Sequence, residues 1–160
     1  MKTLDEILKQ EPVYLHNWKT KIDVISDFDD IYMSDDEYKA ETAPYANVKI
    51  WEEKKAKMNE AIELWKPINI LFASYGEDNY SGDAFVLFEQ DGNLYEVNGS
   101  HCSCHGLEGQ FTKEETTIEA LNHRLTKGTL GQDTYSDNEF ALELKDFLGI
   151  AEHTGALAGN

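Results

Sequence analysis

Asp83-Ala84-Phe85-Val86-Leu87-Phe88-Glu89-Gln90-Asp91-Gly92-Asn93-Leu94-Tyr95-Glu96-Val97-Asn98 is the stretch on which the fold turns. The apolar run from Ala84 to Phe88 is too short for a helix of its own. Beyond it, Leu94, Glu96 and Asn98 alternate with Tyr95 and Val97, the period of a strand with two unlike faces. Asp91-Gly92 lies between the two runs. A type I′ turn needs left-handed backbone at both central positions, which makes this pair a strong hairpin signal. Upstream, Ile68-Asn69-Ile70-Leu71-Phe72-Ala73 is another short apolar run. The three runs predict an antiparallel meander of three strands, ended by Asn98-Gly99.

Helical signals flank the meander. Thr3-Leu4-Asp5-Glu6 reads as a capping box for a helix reaching about Gln10, stopped by Pro12. Trp18, Ile22, Ile25, Phe28 and Ile31 recur at spacings of three and four, predicting an amphipathic helix over 17–32. Ser34-Asp35-Asp36-Glu37 is a further capping box. The longest helix is expected over 47–65, with Val48, Trp51, Met58, Ile62 and Trp65 inward and lysines outward, and Pro67 stops it. After the meander, Thr112-Lys113-Glu114-Glu115 is read as the cap of a helix carrying Ile118, Leu121 and Leu125. Ser136-Asp137-Asn138-Glu139 is read as the cap of another, carrying Phe140, Leu142, Leu144, Phe147 and Leu148 and closed by Gly149. The expected fold class is α+β: N-terminal helices, a three-stranded antiparallel meander, and two C-terminal helices. A single domain spans 1–160, mainly helical over 1–66, meander and loop over 67–110, helical over 111–150, with a frayed tail over 151–160.

Composition sets the setting. The chain has 160 residues, 41% of them hydrophobic, which is enough for one buried core. No run approaches the roughly 18 apolar residues of a membrane span, and Met1 to Glu6 lacks the apolar core of a secretory signal. A cytoplasmic protein is the expectation, with Cys102 and Cys104 as thiols, because a C-x-C disulfide closes too small a ring. The net charge is −17, from 14 bases and 31 acids. Ten bases and 15 acids precede residue 67, so the remaining 4 bases and 16 acids leave the second part at −12. Such a surface repels phosphate backbones and anionic lipid, so neither nucleic acid nor membrane is an expected partner. The expected partner is cationic, the basic face of another protein or a metal ion, beside the plain alternative that the charge serves solubility alone.

Two features carry candidate chemistry. The first is the loop Ser100-His101-Cys102-Ser103-Cys104-His105-Gly106. Two thiols and two imidazoles within five residues suit zinc or copper, so His101, Cys102, Cys104 and His105 are candidate metal ligands, with zinc as the alternative to no cofactor. One loop supplies half a tetrahedral site, and a second pair would have to come from His16, His123 or a carboxylate. A nucleophilic thiol is a competing reading: His101 or His105 would activate Cys102 or Cys104, with Glu96 or Glu108 orienting the imidazole. The acidic surround works against a thiolate. The blandest reading is a structural loop turned by its glycines. The polar stretch from Tyr75 to Asp83 joins the first two strands, and the up-down-up strand order brings it to the edge where the Cys/His loop begins. That order permits a shared ligand pocket of Tyr75, Tyr80, His101, Cys102, Cys104 and His105, although an ordinary long hairpin loop is the simpler account.

The second feature is the acidic segment from Asp23 to Glu41, in which Asp27, Asp29, Asp30, Asp35, Asp36 and Glu37 are the candidate partner-binding residues. Its spacing does not fit a calcium-binding EF-hand. Carboxylates set along a helix are able to imitate the charge row of duplex DNA, although an ordinary solvated face is the simpler account.

The runs Ser81 to Phe88, Leu94 to Cys104 and Gly106-Leu107-Glu108-Gly109 together resemble small uncharacterised phage and prophage proteins with a YEVNGSHCSC-x-GLEG core. The resemblance covers the middle third of the chain. It implies a mobile-element setting, and with it host takeover or counter-defence in the host cytoplasm, but it supplies no catalytic residues. Two functions therefore stand side by side. One is an acidic interaction module that inhibits a host or defence protein through its negative surface; the other is a small metal- or ligand-binding protein or enzyme centred on His101 to His105.

Overall fold

A computed structural model describes residues 1–78, 81–102, 106–132 and 138–151. The elements run α1 (Leu4–Leu8), β1 (Val13–His16), α2 (Lys21–Phe28), α3 (Asp35–Lys39), α4 (Val48–Trp65), β2 (Asn69–Asp78), β3 (Ser81–Gln90), β4 (Asn93–His101), β5 (Glu114–Thr116), α5 (Ile118–Thr126) and α6 (Ala141–Leu148). The protein is α+β, but the expected three-stranded meander between N-terminal helices and two C-terminal helices is corrected. The sheet has five strands in the order β1-β2-β3-β4-β5 and is mixed, and the described residues form six helices.

Of the two additional strands, β1 lies in the gap left between the first two expected helices, and β5 lies where a helix cap was read. Val13-Tyr14-Leu15-His16 runs parallel to β2, Val13 beside Phe72 and His16 beside Tyr75. A parallel neighbour requires a crossover, and α2, α3 and α4 supply it over one face of the sheet. The helix expected over 17–32 is accordingly shorter. It opens at Thr20, whose hydroxyl accepts from the Asp23 amide while Asp23 bonds back to the Thr20 amide. On the other edge, Glu114 to Thr116 pair with Leu94 to Glu96 as β5, and the α5 cap is Thr117. Thr112 to Glu115 therefore lead into a strand. Of the expected cap at Ser136 to Glu139, Ser136 and Asp137 lie outside the described residues, and α6 begins at Ala141 without a side-chain cap.

The turn after β3 follows the expected chemistry: Asp91 and Gly92 have φ of 54° and 86°, and Gln90 faces Asn93. Strand alternation then splits the core in two. Ala73, Val86, Phe88 and Val97 face α2 and α4 with Trp18, Ile25, Phe28, Met58 and Trp65. Phe72, Phe85, Leu87 and Leu94 face α5 and α6 with Leu121, Leu125, Leu144, Phe147 and Leu148. A register shift between Ile70 and Phe72 turns both Leu71 and Phe72 to this second face. Among the described residues no helix is long and apolar enough to cross a membrane.

Candidate functional site

The end of the sheet where β2 meets β3 and β4 stops is the centre of the site. Glu77 and His101 both face Gly82, one from each neighbouring strand. Side chains two strands apart start about 9–10 Å from each other, and a side chain on the strand between normally separates them. Gly82 has none. His101 Nε2 reaches across it to donate to Glu77 Oε2 at 2.9 Å. A Cβ at Gly82 would lie 2.7 Å from the Gly76 carbonyl oxygen and 3.1 Å from the Tyr75 ring. We expect Gly82→Ala to cost about 1–3 kcal/mol in chemical unfolding. It should also break the His101–Glu77 bond, which the imidazole resonances of His101 would report.

The pair stands on a polar aromatic base. The His101 ring meets Tyr75 edge-on at 5.6 Å, Tyr75 lies 5.1 Å from Trp18, and the Trp18 indole donates to Asp27 Oδ2 at 2.7 Å. Burial, with Glu77, Asp27 and Glu108 nearby, pushes the Tyr75 hydroxyl well above its ordinary pKa. Burial also raises Asp27, with the negative charges of Asp23 and Glu77 adding to it, while the Trp18 bond and His101 pull it back. The acidic segment and the start of the Cys/His loop are thus parts of one surface. The return of that loop is fastened by Gln110, whose amide bonds Ser100 N, Ser100 O and Gly106 O, and by Phe111 packed on Phe28, Trp65 and Phe88.

The six candidate acids divide by what they already hold. Asp27 serves Trp18, and Asp29 accepts from Trp65 Nε1 at 3.0 Å. Asp35 pairs with Lys39 at 3.1 Å. The Glu37 backbone carbonyl takes the Trp51 indole at 2.9 Å, while its carboxylate keeps a buried oxygen, Oε2, without a donor among the described residues. Asp30 and Asp36 are exposed. Sequence placed the three tryptophans only as apolar helix positions and did not find them, or Gly82, as parts of the site. The usable signal is that a buried indole needs an acceptor, and the acidic segment holds the nearby ones.

Between Asp30 and Asp35 the chain makes a sharp corner. Asp30 and Tyr32 adopt φ of 55° and 58°, so Ile31 and Met33 turn into the core while Tyr32 stands 71% exposed. Lys54 Nζ donates to the Tyr32 carbonyl at 2.9 Å and holds the corner to α4. Hydrogen bonding to Asp30, then its charge, raise the Tyr32 hydroxyl pKa, with Glu108 and Asp27 adding to it. Beside the ring lies a groove of about 350 Å³ lined by Asn17, Asp23, Asp27, Ser34 and Glu37.

Of the Cys/His candidates, His101 lies against Glu77 and Cys102 is exposed, while Tyr80, Cys104 and His105 lie outside the described residues. His101 Nδ1 is buried and takes no hydrogen bond among the described residues. His16 bonds the Glu139 backbone carbonyl at 2.8 Å, and His123 sits in α5. Among the described residues no three His, Cys, Asp or Glu side chains group to hold a metal ion. Chemically, the surface presents carboxylates and one exposed phenol ring, a combination that receives cationic groups. No protein-family model, curated protein or solved structure matches the chain.

Proposed function

We propose that the protein is an acidic interaction module that binds the basic face of another protein through the rim around Tyr32. On the phage resemblance of its central motif, that partner is a host or defence protein met in the host cytoplasm. The observation that carries the proposal is Tyr32 itself: a 71% exposed ring beside Asp30 and a carboxylate-lined groove. An arginine or lysine of the partner would lie over the ring and pair with the carboxylates, an arrangement typical of interface hot spots. Glu37, with a carboxylate oxygen that has no donor among the described residues, gives the groove a further acceptor. A DNA-like charge row is not part of the proposal, since Asp27 and Asp29 hold indole N–H groups and α2 spans only eight residues.

The test is capture from host lysate followed by affinity measurement on the purified pair. Tyr32→Ala is expected to weaken binding by about 30-fold or more, the scale of a hot spot of about 2 kcal/mol. Asp30→Asn with Asp36→Asn should flatten the salt dependence, and Cys102→Ser with Cys104→Ser should leave affinity unchanged. Binding insensitive to salt and to Tyr32→Ala would overturn the proposal.

A further inference from the structure

On the sheet face opposite Trp18 and Tyr75 a second cavity, of about 420 Å³, lies between the ends of β3 and β4 and residues 129–132, 138 and 140. Its size falls within the range of small-molecule pockets, roughly 300–1,000 Å³. Phe85 and Phe140, stacked at 4.7 Å, contribute its apolar side. Two carboxamides on its wall are oriented in opposite senses by buried partners. Asn138 is 3% exposed and its Oδ1 accepts from Ser74 Oγ at 2.5 Å, so its Nδ2 is left as a donor. Asn98 Nδ2 donates to Glu96 Oε1 at 2.9 Å, so its Oδ1 is left as an acceptor. Both residues line the cavity, and neither remaining atom has a hydrogen bond among the described residues.

We propose that this cavity binds a small neutral ligand through an amide group, Asn138 Nδ2 donating to the ligand carbonyl and Asn98 Oδ1 accepting from the ligand N–H. The described lining includes Asp83 and no Lys, Arg or His, so a carboxylate or phosphate has no partner there. A ligand that supplies only hydroxyls satisfies the pair less well, because the Glu96 carboxylate fixes Asn98 as an acceptor while Asn138, its Oδ1 on the Ser74 hydroxyl, presents a donor. The amide can come from an N-acetylated sugar or from an acetylated amino-acid amide. The site is independent of the Tyr32 surface.

The experiment is a titration of the ¹⁵N-labelled full chain with N-acetylglucosamine and with N-acetylglutaminamide, using glucose and acetate as controls. Saturable shifts at the side-chain amides of Asn98 and Asn138 and at the backbone amides of Gly99 and Gly131 are expected with at least one amide probe. The probe that saturates assigns the source. Asn98→Ala removes the acceptor at an exposed position and is expected to weaken that binding about tenfold, the effect of one lost hydrogen bond. Should that variant fail to fold, the wild-type titration decides alone. Equal binding of glucose or acetate, shifts confined to other surfaces, or no saturation by either amide probe would each overturn the proposal.

Discussion

Trp18→Ala is expected to destabilise the protein by about 3–5 kcal/mol, measured as a lower denaturation midpoint at unchanged slope. Trp18 is 1% exposed and packs on Phe28 at 5.9 Å and on Tyr75 at 5.1 Å, beneath His101. Its removal opens a cavity under the candidate site and also strips Asp27 of its donor. Trp18→Phe separates the two effects. The ring is largely kept, so the remaining loss, about 1–2 kcal/mol, is that of a part-buried carboxylate without its partner. The pH dependence has a definite sign. Burial already raises the Asp27 pKa and the indole bond opposes that rise, so Trp18→Phe lifts it further. A raised carboxyl favours the protonated folded form. The deficit of Trp18→Phe is therefore fully present where Asp27 is ionised, and it shrinks as pH falls through the folded pKa. A deficit equal at pH 7 and pH 4 would show that the indole N–H does not act on Asp27.

This coupling explains which parts of the molecule were legible in the sequence. The β3–β4 hairpin was, because Asp91-Gly92 and the adjoining alternation are local signals. So was the helix at 48–65, with its long 3.6-residue period and Pro67 beyond. β1 was not. Four residues after a proline show no period, and what makes them a strand is the edge of β2, which arrives more than 50 residues later in the chain. β5 was misread for a related reason: Glu114-Glu115-Thr116 has weak strand propensity, and a threonine with a glutamate three residues on imitates a helix cap. In the site, strand order alone brought Tyr75 and His101 to one end. Nothing local showed that Gly82 would let His101 reach Glu77, or that Asp27 and Asp29 would be held by indoles. Both are contacts between distant segments, and an acidic run reads the same whether its carboxylates face solvent or a tryptophan.

Arg124→Ala tests the opposite face. In a chain of net charge −17, the single arginine is spent on a buried carboxylate, its Nη1 2.6 Å from Glu96 Oε2. Glu96 is 5% exposed and Arg124 40%. Burial by itself would raise the Glu96 pKa, but the hydrogen bonds from Arg124 and Asn98, with the arginine's charge, bring it below the ordinary carboxylate range. Breaking a fully buried pair costs about 3–5 kcal/mol, chiefly because one charge stays behind. Arg124 is open enough to admit water in its place, so about 2–3 kcal/mol is expected here. In the wild type the stabilisation from Glu96 is present above its unfolded pKa and is lost as pH falls through the lower folded value. In Arg124→Ala burial acts unopposed by the guanidinium and the folded pKa moves up. The difference between the two proteins should then be largest near neutral pH and should narrow on acidification. Replacing both partners, Glu96→Leu with Arg124→Leu, removes the buried charge altogether and should recover most of the stability. The same double variant takes away the group that orients Asn98, so amide binding in the second cavity should be lost while the fold is retained. If the double variant is as unstable as Arg124→Ala, the contribution of Arg124 lies in the packing of its stem between β4 and α5 rather than in its charge.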